Sequence, residues 1–154
     1  MPLTRDKKPE IRIRVTVLLR RDDGRICFVR HLKNGRRYWL LPGGGQEPFE
    51  TLENAAIREL DEEIGVAVSG FCFLGLRESF SLEDKRHIQF PILEGINPDF
   101  SRMKRSSDPR VEGTDFFGDL EIEQQPLYPS MTDDLIKLSR GESIPLFRTL
   151  NWVV

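Results

Sequence analysis

Hydrophobic and polar residues alternate from the start of the ordered pattern: Ile11, Ile13, Val15, Val17 and Leu19 are separated by Arg12, Arg14 and Thr16. A period of two marks a half-exposed strand with one face on a core. Asp22-Asp23-Gly24 interrupts the run and Ile26 to Val29 resumes it, which predicts a hairpin between the two strands. Asn34-Gly35 marks a further turn before a short strand from Tyr38 to Leu41, ended by Pro42. The period then changes. From Thr51 to Ile64 there is no proline or glycine, and Ala56, Ile57, Leu60 and Ile64 fall on one arc of roughly 100°, which predicts an amphipathic helix. Thr51 stands where an N-cap oxygen is needed, and Gly65 where a left-handed residue ends a helix.

Beyond the helix the pattern predicts strands at Val66 to Val68, Phe71 to Glu78, Arg86 to Leu93 and Thr114 to Phe117, with a polar insertion from Asn97 to Asp108. A second helix is expected from Asp133 to Ser139, with Thr132 as cap and Gly141 as stop, before an extended tail from Ile144 to Val154. The apolar residues of that tail, Leu146, Phe147, Leu150, Trp152, Val153 and Val154, are expected to complete the core, although they also admit a homodimer. Strands with a helix to either side predict an α+β chain, a mixed sheet between helices in an α/β/α sandwich. A length of 154 residues suits one domain, taken as 11–154 behind a flexible segment, 1–10.

Composition narrows the class. With 38% hydrophobic and 31% charged residues the chain suits a packed, soluble fold. A net charge of −2 supplies no general attraction for extended nucleic acid or an anionic membrane, so a polyanionic ligand needs local charge. No apolar run approaches a membrane span, and Met1 to Glu10 has no signal-peptide core, so a cytoplasmic protein is expected. Cys27 and Cys72 sit in apolar stretches without metal-ligand spacing and are expected to be buried free thiols.

The chemistry lies in Leu41-Pro42-Gly43-Gly44-Gly45-Gln46-Glu47-Pro48-Phe49-Glu50 and the helix after it. Glu59, Glu62 and Glu63 stand at i, i+3 and i+4 and share one helical face. Together with Asp61 they gather negative charge at the negative end of the helix dipole, which a purely structural helix gains by avoiding. A solvated acidic face is the ordinary explanation of such a run, but a hard divalent cation with oxygen ligands turns the repulsion into binding. Glycines Gly43 to Gly45 make a turn, and without β-carbons they also let backbone groups approach a metal or phosphate.

Gly44, Glu50, Arg58-Glu59-Leu60, Glu62-Glu63 and Gly65-Val66, at their spacings, fill every defined position of the Nudix box, and the chain resembles that hydrolase family. With average residue frequencies such a match at a given start has a chance probability on the order of 10⁻¹⁰, so the signal is specific. The resemblance implies the Nudix fold and a magnesium-dependent pyrophosphohydrolase, with manganese as a substitute, acting on a small nucleoside diphosphate derivative. By position it implies Glu59, Glu62, Glu63 and the Gly44 carbonyl as metal ligands. It further implies that Glu50 supports the metal or its waters, that Arg58 orients the carboxylates, and that the general base is Glu62 or a later acid, Glu112, Glu121 or Glu123.

Substrate contacts are sought among Arg12, Arg14, Arg30, Arg36, Arg37, Tyr38, Arg77 and Phe80, since guanidinium forks suit phosphates and aromatic faces suit bases. Arg14, Arg37, Tyr38, Arg77 and Phe80 are the leading five. The compact chain favours nucleoside triphosphates. ADP-ribose, nucleotide sugars and dinucleoside polyphosphates are the alternatives, with a nucleotide sensor that does not cleave as the reading from another class.

Overall fold

A computed structural model describes residues 8–153; the expected flexible start therefore falls largely outside the described residues, as does Val154. The order of elements is β1 (Ile11–Leu18), β2 (Ile26–Lys33), β3 (Arg36–Leu40), β4 (Gly43–Gly45), α1 (Leu52–Ile64), β5 (Gly70–Ser81), β6 (Arg86–Ile96), β7 (Val111–Phe117), α2 (Asp119–Glu123), α3 (Thr132–Ser139) and β8 (Phe147–Thr149). Two sheets form, one in the order β4-β1-β6-β5-β8 and one in the order β3-β2-β7. The first is mixed, because β1 runs parallel to β6 and antiparallel to β4.

The predicted β1–β2 hairpin is corrected. The turn itself exists, with the Gly24 amide donating to Arg21 O at 2.8 Å, but the strands part into different sheets beyond an isolated bridge between Arg20 and Ile26. Burial explains the separation, since Val15, Val17 and Leu19 pack toward α1 while Leu18 packs toward α3. β2 divides likewise, Cys27 and Val29 to one side and Ile26 and Phe28 to the other. The second half of β1 is thus buried on both faces, including Thr16, and not half exposed. A strand in that position needs helices on both sides, which is the sandwich.

Other boundaries shift for local reasons. Val66 to Val68 makes one bridge, Ala67 to Asp99, and no strand. The glycine turn continues as β4, and Thr132 is the first residue of α3 instead of its cap. Ala55 takes the core position expected of Ile57, which is exposed. Cys27 is buried, and desolvation pushes its thiol up to about 12, whereas Cys72 is exposed. In the tail Leu150 is buried while Leu146 and Phe147 are exposed, so the tail completes the core only in part. Among the described residues no helix is long and apolar enough to cross a membrane.

Candidate active site

α1 begins and ends as its sequence dictates. The Thr51 hydroxyl accepts from the Asn54 amide at 3.1 Å, and Gly65 adopts φ 68° with its amide directed to Leu60 O and Asp61 O. These ends fix the rotation of the helix, and with it the acidic face, against β4. Glu63 is buried and accepts from the Gly43 amide at 3.3 Å, tying helix to loop. Glu59 lies against Gly44 so closely that a β-carbon there would fall 2.2 to 2.5 Å from its carboxyl atoms. With a β-carbon there the Glu59 carboxylate would have to swing away. Glu62 stands outermost, its side chain 60% exposed.

Arg58 organises these carboxylates. Its Nε and Nη2 donate to the two oxygens of Glu50, both at 2.8 Å, its Nη1 donates to Glu59 Oε1 at 2.8 Å, and its Nη2 also reaches Gly45 O at 2.9 Å. Glu62 lies 3.5 Å from Nη1. The fork on Glu50 holds that carboxyl down to about 2. Glu59 is shifted the other way: burial raises it, and the charges of Glu63 and Glu62 add to the rise, although Arg58 opposes it. One guanidinium therefore serves three acids, and a fourth, Glu63, stands beside them.

The donor set fits a hard divalent cation in kind: carboxylate oxygens on one helical face, a glycine backbone pressed against one of them, and like charges whose repulsion Arg58 only partly offsets. Among the described residues no three acidic, imidazole or thiol side chains are gathered as a ready ligand set, because Arg58 engages Glu59 while Glu63 turns inward.

Beside Glu63 opens a cleft of about 490 Å³, lined among others by Arg30, Trp39, Lys104, Glu112 and Asp115. Glu112 accepts from Arg37 Nε at 3.0 Å and lies 3.0 Å from Arg30 Nε. The Arg30 contact is close but misaligned, so that its buried Nε lacks a hydrogen bond. Arg30 also stacks over Trp39 at 5.6 Å. His31 Nε2 is likewise buried without a hydrogen bond, 3.7 Å from Glu63 Oε2. The Asn97 to Asp108 insertion forms a wall here, since the Lys104 amide donates to Ile64 O at the end of α1.

The structure sorts the sequence candidates. Glu50, Arg58, Glu59, Glu62, Glu63 and Gly44 come together, and Arg30, Arg37 and Glu112 meet at the adjoining cleft. Arg14 and Tyr38 lie toward the gap between the sheets, where both approach Tyr128. Arg77 is a correction: it is fully buried, donates to both oxygens of Asp134 and has no face toward a substrate. Phe80 packs on His87 at 5.5 Å and lines neither opening. Glu121 and Glu123 belong to α2, where Glu121 pairs with Arg25, so of the later acids Glu112 alone enters the cleft. His31, Trp39, Lys104 and Tyr128 were not singled out by sequence; no local motif marks them.

The chain matches the NUDIX domain over residues 10–117. An RNA pyrophosphohydrolase of Saccharophagus degradans is 35% identical over 66 residues, 43% of this chain and 38% of the relative. A putative 8-oxo-dGTP diphosphatase of Bacillus subtilis is 35% identical over 57 residues, 37% of this chain and 38% of the relative. The chain thus aligns with well under half the length of either. In three dimensions it is similar to a MutT protein from Bacillus halodurans (TM-score 0.74, 15% identity, 92% of this chain and 90% of that one). A MutT protein from Methanosarcina mazei superposes with a TM-score of 0.69 at 22% identity, covering 87% and 96%. At such identities the likeness is one of fold. With the domain matched over more than half its length and the box complete from Gly44 to Val66, the chain belongs to the Nudix hydrolase family.

Proposed function

We propose that the protein is a magnesium-dependent pyrophosphohydrolase that splits the diphosphate of a nucleotide derivative, with nucleoside triphosphates as the leading substrates. The observation that carries this reading is the surplus of carboxylates around Arg58, with the Glu59 carboxylate lying against the backbone of Gly44. Glu59, Glu62, Glu63 and the Gly44 carbonyl would hold the cation. When bound, magnesium, or manganese in its place, neutralises phosphate oxygens and lowers the pKa of water. Arg58 fixes the rotamers of Glu59 and Glu50 by its three short hydrogen bonds to them. Glu62, the most exposed of the group, is free to take a proton from water. Glu112, at the mouth of the cleft between two arginines, is the second choice for that step. Arg30 and Arg37 offer guanidinium donors to phosphate in the same cleft. The printed names of the relatives, a pyrophosphohydrolase and a diphosphatase, support the reaction class.

A panel of nucleoside triphosphates, ADP-ribose, nucleotide sugars and dinucleoside polyphosphates, assayed with magnesium for released phosphate after phosphatase coupling, tests the reading. Turnover is expected for the wild type and a fall of about 10²-fold or more for Glu62→Gln; Glu112→Gln in parallel assigns the base. A wild type inert on the whole panel while binding a nucleotide would replace the enzyme by a sensor.

A further inference from the structure

Among the described residues two buried side-chain nitrogens, Arg30 Nε and His31 Nε2, lack a hydrogen-bond partner. A buried donor left unpaired forfeits its hydration without return, so folds rarely keep one. Arg30 is accounted for by the cleft already described, between Glu112 at 3.0 Å and the Trp39 ring. His31 is not, because it does not line that cleft. Its side chain is 17% exposed, its ring rests against Tyr38 at 5.9 Å between centroids, and its Nε2 stands 3.7 Å from Glu63 Oε2, too far for a hydrogen bond.

The fold brings these two groups to face each other. Cys27 and Val29 turn toward α1, and by the period of two His31 is the next residue of β2 on that face. There it meets the last turn of α1, where Glu63 is 8% exposed. The pairing of β2 with β7 slips at this point, with His31 opposite Val111 and Arg30 opposite Gly113, so that Glu112 is an extra residue. Bulges of this kind re-aim side chains beside sites. Glu63 in turn accepts from the Gly43 amide at 3.3 Å through Oε1 and presents Oε2 to His31. One long hydrogen bond is little support for a carboxylate so far removed from water.

We propose that His31 is a positioning residue for the cation site: its Nε2–H donates to Glu63 Oε2 and fixes the plane of that carboxylate when a divalent cation occupies the acidic face. The inference rests on the hydrolase reading for the presence of a cation there. Carboxylates that ligate a metal are themselves hydrogen-bonded, and such outer partners set the affinity of the site. Here the Gly43 amide holds one oxygen of Glu63 and His31 would hold the other, which asks the 3.7 Å gap to close by about 0.5 to 1 Å. Each carboxylate oxygen keeps a second lone pair for a metal. A ring whose only task was to pack on Tyr38 would leave a buried nitrogen unpaired for nothing, since phenyl covers the same surface without that cost.

The full chain titrated with magnesium or manganese in a calorimeter tests it. His31→Phe is expected to weaken cation binding by about 10–100-fold, while the urea midpoint stays or rises, because the variant removes the unpaired nitrogen and keeps a ring. His31→Gln, whose amide nitrogen reaches about as far as Nε2, is expected to restore most of the affinity. The chain has two histidines, His31 and His87, so nitrogen NMR of histidine-labelled protein gives a second readout, with His31→Phe identifying the signals. Added magnesium is expected to shift the ring nitrogens of His31 and leave those of His87. Cation affinity untouched by His31→Phe, a loss that His31→Gln does not relieve, a urea midpoint that falls with the affinity, or a His31 signal indifferent to magnesium would overturn the assignment. Turnover on the nucleotide panel separates the two ideas. Cation binding that depends on His31 without turnover of any nucleotide defeats the hydrolase reading alone, and magnesium-dependent turnover with cation binding indifferent to His31 defeats the positioning role alone. A wild type that binds no cation defeats both.

Discussion

Two arginine–carboxylate clusters of opposite balance stand in different parts of this molecule. Around Arg58 one guanidinium serves Glu50, Glu59 and Glu62, and the group is partly open to solvent. Around Asp134 the proportion is reversed: Arg77 donates to both of its oxygens and Arg148 reaches one of them at 3.1 Å. Arg77 also donates to Leu76 O and Pro145 O, and it and Asp134 are shut away from solvent. It joins β5, β8 and α3, and its job is cohesion. The first cluster is left with excess negative charge at the surface, a state that costs stability and gains a purpose only with a cation. Charge balance and burial, more than the presence of an ion pair, separate a site from a strut.

The contrast is broken most directly at Asp134. Asp134→Ala strands a buried guanidinium, and a loss of about 3–5 kcal/mol in urea unfolding is expected; a variant as stable as the wild type would show that the closed cluster does not hold the fold. Next in size is Arg58→Ala. It is expected to lower turnover and divalent-cation affinity by about 10–100-fold, as the loss of a ligand-orienting residue does, with little change in the urea midpoint. A large stability loss with unchanged cation affinity would make Arg58 a strut as well. The smallest effect concerns acid. Glu50 lies at about 2 in the fold against an ordinary 4.5, so its pairing stabilises fully above 4.5 and the contribution is lost as pH falls toward 2. Glu50→Gln is expected to flatten the stability profile in that window, lowering stability slightly at neutral pH and leaving it nearly unaltered near pH 2, which thermal melts across the range would show.

The acidic site was legible because all its parts lie in one stretch, from Gly44 to Gly65, where helical periodicity alone sets Glu59, Glu62 and Glu63 on one face. The helix caps were legible for the same reason. Pairing of β1 was not, since the Asp22-Asp23-Gly24 turn is local while the choice of β4 and β6 as neighbours depends on burial from both sides. Arg77 was misjudged because its partner lies 57 residues away; an arginine in a strand reads as surface until the opposing carboxylate is known. Cys72 and Ile57, apolar in pattern yet exposed, show that periodicity marks a face without saying whether anything covers it.

The insertion clamped to the end of α1 has a practical consequence for redesign. Its grip on the helix is through main-chain atoms, the Lys104 amide on Ile64 O, so the side chains at Arg102, Lys104 and Arg105 are exchangeable without loosening the joint. The fixed point is Gly65, where a β-carbon would lie 2.8 Å from Arg102 O. The segment is therefore a cassette: a library varied at Lys104 and Arg105 and kept constant at Gly65 would retune the wall of the cleft while α1 stays in register.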